Sequence, residues 1–192
     1  MGCFRAFTAP LWMLFAGDAL LLFCSVFYMA WWLICFRHGS PGLSSGWALL
    51  ALAFATGLPA LVLLALSVRA LNAASGGGLS GPILLGALAL YLILLLVTKA
   101  AFHRPVTSEL LIMLVWAAAQ LCAVAALRGA GRFGPGRTVA LAVLVGLATA
   151  AGVVCYVLYY RLDAQASYWD GLVPLASDAA VMAVFLGVLA FS

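Results

Sequence analysis

The chain has 192 residues, of which 68% are hydrophobic and 7% charged, and its mean hydropathy is +1.24. A soluble domain of this length has no interior large enough to hide so much apolar surface, so its solvent is lipid. The formal net charge of +4 comes from arginines scattered singly between apolar runs rather than gathered on one face, which argues against a nucleic-acid partner and places the basic residues at a membrane boundary.

Six apolar runs follow one another: 10–36, 47–68, 82–101, 106–127, 138–160 and 171–191. Each is near the ~20 residues that cross ~30 Å of hydrocarbon as a helix. None alternates, and a backbone in lipid must satisfy its own hydrogen bonds, so helices are expected over a barrel. The expected fold is an all-α integral membrane protein with six transmembrane helices and the lipid bilayer as its first partner.

The segment Met1-Gly2-Cys3-Phe4-Arg5 precedes the first run. That run is too long for a secretory signal and lacks a small-residue cleavage site, so it reads as a span. Gly2 lacks the Ser or Thr at position 6 that myristoylation wants. His38-Gly39-Ser40-Pro41-Gly42 closes the first run, Gly76-Gly77-Gly78 separates the second and third, and 129–136 separates the fourth and fifth. With links this short, any chemistry is expected inside the membrane or at its edges. Trp31, Trp32, Trp47, Tyr156, Tyr159, Tyr160, Tyr168 and Trp169 cluster at run ends, as an interfacial aromatic belt does.

Only Lys99 among the nine basic residues is lysine, and Ala, Leu and Gly abound. That composition points to a GC-rich bacterial genome and hence to a bacterial cytoplasmic membrane. With a cytoplasmic N-terminus, one side carries Arg5, Arg69, Arg128, Arg132 and Arg137, and the other Arg37, Lys99, Arg104 and Arg161. The small excess favours both termini in the cytoplasm.

An ungapped alignment of 14–37 with 105–128 superposes Asp18 on Glu109 and Arg37 on Arg128. One residue further on, Arg69 meets Arg161, Ser75 meets Ser167 and Pro82 meets Pro174. A duplicated unit with three spans inserts its second copy upside down, a ground plan common among transporters. The expected division is therefore two three-helix halves, 1–96 and 97–192, of inverted topology. A rival register, Arg5 with Arg104 and Thr8 with Thr107, competes with it.

Asp178 is the most unusual side chain, eight residues past Asp170 and so about 12 Å along the sixth helix. An ionised carboxylate at that depth costs at least about 2.5 kcal/mol, so the group should face the bundle, find a partner or hold a proton. Pro174 removes a backbone donor beside it and favours a kink. Gln120 lies mid-way along the fourth run, where an amide bonds across helices, and is the expected polar partner of Asp178 at mid-depth. Asp18 and Glu109 each stand 19 residues before their matched arginine, which places them toward helix entry ends, but the first run begins near Pro10 and leaves Asp18 more open. Thr107-Ser108-Glu109 after Pro105 suits a helix start, with the carboxylate on the dipole. Asp178, Gln120, Asp18 and Glu109 are thus the candidate substrate- or ion-binding residues.

Lys99, His103 and Arg104 form the densest basic cluster, and Lys99 and His103 share a face if the third helix continues that far. They are candidates for an anionic headgroup or ligand. The five cysteines, Cys3, Cys24, Cys35, Cys122 and Cys155, make no C-x-x-C pair, and His38 and His103 have no metal-ligand spacing, so neither a metal nor a cofactor is expected.

The leading expectation is a small-solute or ion transporter or channel subunit with a proton- or cation-binding carboxylate in its sixth helix. Gly81, Gly86, Gly146 and Gly152 offer faces for close packing in a homodimer or larger complex. The alternative is a non-catalytic membrane anchor, or a lipid- or quinone-binding subunit. An intramembrane enzyme acting on lipid through Asp18, Glu109, Asp170 and His103 ranks last, since their spacing matches no mechanism.

Overall fold

The structure, a computed structural model, describes residues 7–37, 44–75, 79–102, 108–161 and 168–191. Those residues form α1 (Ala9–Arg37), α2 (Ser44–Ser75), α3 (Ser80–Val97), α4 (Ser108–Gly129), α5 (Pro135–Arg161) and α6 (Tyr168–Ala190), with a π-helical turn, Thr98–Phe102, prolonging α3. Each of the six contains a stretch long and apolar enough to cross a membrane. The chain is an all-α integral membrane protein.

Local chemistry sets the helix ends. Pro10 sits in the first turn of α1, where a missing N–H costs nothing, and the Thr8 carbonyl accepts the Trp12 N–H at 3.0 Å. α2 has 32 residues and runs past the expected 47–68 at both ends. Hydropathy marks only the part of a helix that lipid requires to be apolar, and the Ala-, Leu- and Arg-bearing segment after Val68 is still a good helix former. The α4–α5 turn closes with two crossed hydrogen bonds, Arg132 N–H to Leu127 O at 2.9 Å and Gly131 N–H to Arg128 O at 3.0 Å. That Schellman pattern needs a left-handed residue, supplied by Gly131 at φ 71°. Pro135 then opens α5 at its first position.

Specific contacts fix helix directions. Ser67 Oγ donates to the Pro10 carbonyl at 2.6 Å, and Gly57 abuts Cys24, so α1 and α2 are antiparallel. Gly129 abuts Ser75, and the rings of Phe133 and Phe185 meet at 6.4 Å. The start of α1, the ends of α2, α4 and α6 and the start of α5 therefore share one end of the bundle, called here the N-terminal end. α1 and α6 are antiparallel as well.

α2, α1, α6 and α5 form an arc around α4, while α3 packs on the outside of α4. Two-thirds of the α4 spanning segment (67%) is buried, a larger share than in any other helix among the described residues. Its sequence explains this: Ala117, Ala118, Ala123 and Ala126 are small enough for neighbours to approach on several sides. Gly17 does the same between α1 and α2, where an added Cβ would lie 3.1 Å from the Ala60 carbonyl.

The two halves are packed differently. α5 lies along α6, but α2 and α3, their expected counterparts, touch mainly where they join. α4 meets α2, α3, α5 and α6, whereas α1 packs chiefly on α2 and α6. Of the glycines expected to offer packing faces, Gly152 is used inside the chain against Met113, while Gly81, Gly86 and Gly146 have open space beside them.

Candidate functional site

Six polar side chains are buried among the described residues: Asp18, Ser25, Ser67, Thr98, Gln120 and Asp178. Three of them donate to backbone carbonyls, two within their own helix and Ser67 across to α1. Ser67 bonds to the Pro10 carbonyl, Ser25 Oγ donates to Leu21 O at 3.1 Å, and Thr98 Oγ1 donates to Leu94 O at 2.6 Å. Thr98 also meets the Tyr156 hydroxyl at 3.1 Å, which ties α3 to α5.

Asp18 and Gln120 form the polar joint of the interior. Gln120 Nε2 donates to Asp18 Oδ1 across α1 and α4. Asp18 is fully enclosed and Gln120 is 2% exposed. The depths agree because each residue lies nine positions from its helix terminus at the N-terminal end, Ala9 or Gly129, about 14 Å along the axis. Two acceptors in this joint, Asp18 Oδ2 and Gln120 Oε1, have no donor.

Asp178 is 5% exposed, and its Oδ2 has no partner. α6 runs unbroken through Pro174, whose carbonyl accepts the Ser177 hydroxyl at 2.8 Å. Register on α1 follows from Ser25 Oγ, 3.7 Å from Met182 Sδ. Asp18 is seven residues from Ser25 toward the N-terminal end, and Asp178 is four residues from Met182 toward the opposite end. The two carboxylates thus lie at different depths, about 16 Å apart along the axis. No ion pair reaches either one among the described residues.

These positions correct one expectation and sharpen another. Gln120 partners Asp18, not Asp178, because Gln120 and Asp18 lie at the same depth and Asp178 does not. Asp18, left open by its place after Pro10, lies well inside its helix, nine residues past Ala9. Glu109 is the second residue of α4, at the end opposite the Asp18–Gln120 joint. Lys99 is exposed on the π-helical turn, and His103 and Arg104 lie outside the described residues. Tyr156, expected in the interfacial belt, is instead buried against Thr98, and Trp32 is buried too, whereas Trp47 is 69% exposed.

Sequence reasoning passed over Thr98, Ser25 and Ser67, small hydroxyls that apolar runs carry without a change in pattern. Equal offset from a shared bundle end was the available signal for the Asp18–Gln120 pair. No group of three or more His, Cys, Asp or Glu with metal-holding geometry occurs among the described residues. Two cavities flank α2, about 450 Å³ and about 130 Å³, and neither is lined by Asp18, Gln120 or Asp178. Asp18 is wholly buried and Asp178 nearly so.

Fold and interior together define a polytopic α-helical membrane protein with two carboxylates inside its bundle. No family model, curated protein or solved structure matches the chain.

Proposed function

We propose that the chain is a small-solute or ion transporter, or a channel subunit, of the bacterial cytoplasmic membrane, and that protons or cations engage Asp178 and the Asp18–Gln120 joint. One observation carries the reading: two enclosed carboxylates each keep an oxygen without a donor, and the Gln120 carbonyl beside Asp18 lacks one too. Oxygens that share this deficit in a low-dielectric interior suit a proton on the acid or a small cation between them. Two such stations at different depths on the α1 and α6 side of the bundle suit stepwise passage. The enclosure of both implies helix movement to admit and release the ion. Exposed Arg69, Arg128, Arg132 and Arg137 gather at the N-terminal end, which supports its facing the cytoplasm.

The test is flux in liposomes holding the purified full chain, with dyes for internal pH and for monovalent and divalent cations. Asp178→Asn and Asp18→Asn should each reduce the flux at least tenfold, with thermal stability near that of the wild type, because Asn keeps the side-chain volume. Flux no greater than that of empty liposomes for every ion, or flux indifferent to both variants, would overturn the proposal. The second reading, an anchor or a lipid- or quinone-binding subunit, draws its support from the larger cavity beside α2.

A further inference from the structure

The larger cavity is a groove between α2 and α3, floored by α4, with a volume of about 450 Å³. It exists because the two helices splay after their junction, where Asn72 Nδ2 donates to Ser80 Oγ at 3.2 Å. Leu64 and Val68 of α2, Leu84 of α3 and Val115 of α4 make its walls apolar. At the N-terminal end the lining changes to Arg69, Asn72 and Ser80.

We propose that this groove seats one acyl chain of a phospholipid whose anionic headgroup is held by Arg69. Apolar walls with a single charged mouth are what a lipid's own division into tail and headgroup requires. Arg69 lies six residues before the end of α2, about 9 Å along the axis, a depth from which its long side chain snorkels to the headgroups. It is exposed, and no Asp or Glu side chain lies at that end among the described residues to compete for it. A guanidinium presents paired donors that match a phosphate, and the cationic group of a zwitterionic headgroup, repelled by the same arginine, leaves an anionic headgroup the better fit. The chain itself has a use for such an occupant. No residue of α3 between Ser80 and Val97 is buried, so an acyl chain between α2 and α3 supplies contacts that the protein leaves unmade. This inference is independent of ion passage through the bundle.

The experiment is thermal unfolding of the full chain in mild detergent, titrated with dioleoyl phosphatidylglycerol or dioleoyl phosphatidylcholine. Stabilisation by a ligand that binds the folded state grows with its concentration relative to Kd. Phosphatidylglycerol should give the same shift at a tenfold lower concentration than phosphatidylcholine, and soluble glycerol phosphate should give none. Arg69→Gln, a change at an exposed position, should bring the two lipids within twofold of each other, while Arg132→Gln leaves the preference intact. Ala65→Phe, which projects a ring into the groove from an exposed position, should abolish the shift with both lipids. Equal potency of the two lipids on wild type, a preference that survives Arg69→Gln, or a lipid shift unchanged in Ala65→Phe would overturn the proposal. So would a change in oligomer mass in Ala65→Phe without loss of lipid response, since the groove would then hold a second copy.

Discussion

α4 and α3 are equally apolar by mean hydropathy, yet 67% of the α4 spanning segment is buried and only 6% of that of α3. Hydropathy sends both into the membrane, and side-chain size decides which one takes the centre. α4 carries alanines at successive turns, while α3 carries Leu84, Leu85, Leu88, Leu92 and Leu96, all exposed. In lipid a leucine gains nothing by leaving the surface, whereas a small residue lets a neighbouring helix approach. The polar chemistry follows the same division, with Gln120 in the middle of the central helix and the outer one tied only at its ends among the described residues, through Ser80 and Thr98.

The comparison breaks most sharply at Ala123, which is wholly enclosed in α4. Ala123→Leu should destabilise the protein by about 3 kcal/mol through overpacking, read as a fall in the midpoint of thermal or denaturant unfolding in detergent. Little or no loss would remove α4 from the centre of the bundle. Gln120→Leu should cost about 2 kcal/mol, because Asp18 Oδ1 would join Oδ2 without a donor. The double variant Asp18→Leu, Gln120→Leu should recover most of that loss, since removing both partners leaves no orphan; a purely additive double variant would show that the two do not interact. At the outer helix the effects shrink. Thr98→Val should cost about 1 kcal/mol for its bond to Tyr156, and Leu88→Ala should stay within about 0.5 kcal/mol. A Leu88 effect as large as that of Ala123 would mean that α3 is covered in solution by something other than lipid.

The six spans were legible because each is a long apolar run with breakers beside it. Their ends were less so: α2 continues to Ser75, since a helix persists into water wherever propensity and hydrogen bonding allow. The candidate site was half legible. Asp178 and Gln120 announce themselves as polar groups in apolar runs, and both are buried. Their pairing was not legible, because it depends on which helix faces which, and a sequence of near-uniform hydrophobicity does not encode that in its periodicity. The matched charges that suggested two equivalent halves sit at unlike places in their helices: Asp18 is the tenth residue of α1, while Glu109 is the second of α4. Small hydroxyls such as Thr98 left no mark in the pattern at all.

The bond between Asp18 and Gln120 joins residues 102 positions apart. A ribosome adding about 5–20 residues per second needs about 5–20 s to make that stretch. For that interval α1 exists without the helix that supplies its amide donor. During biogenesis the first span is therefore the one that waits: its carboxylate must stay neutral, or α1 must linger at the insertion machinery, until the fourth helix arrives to occupy the centre.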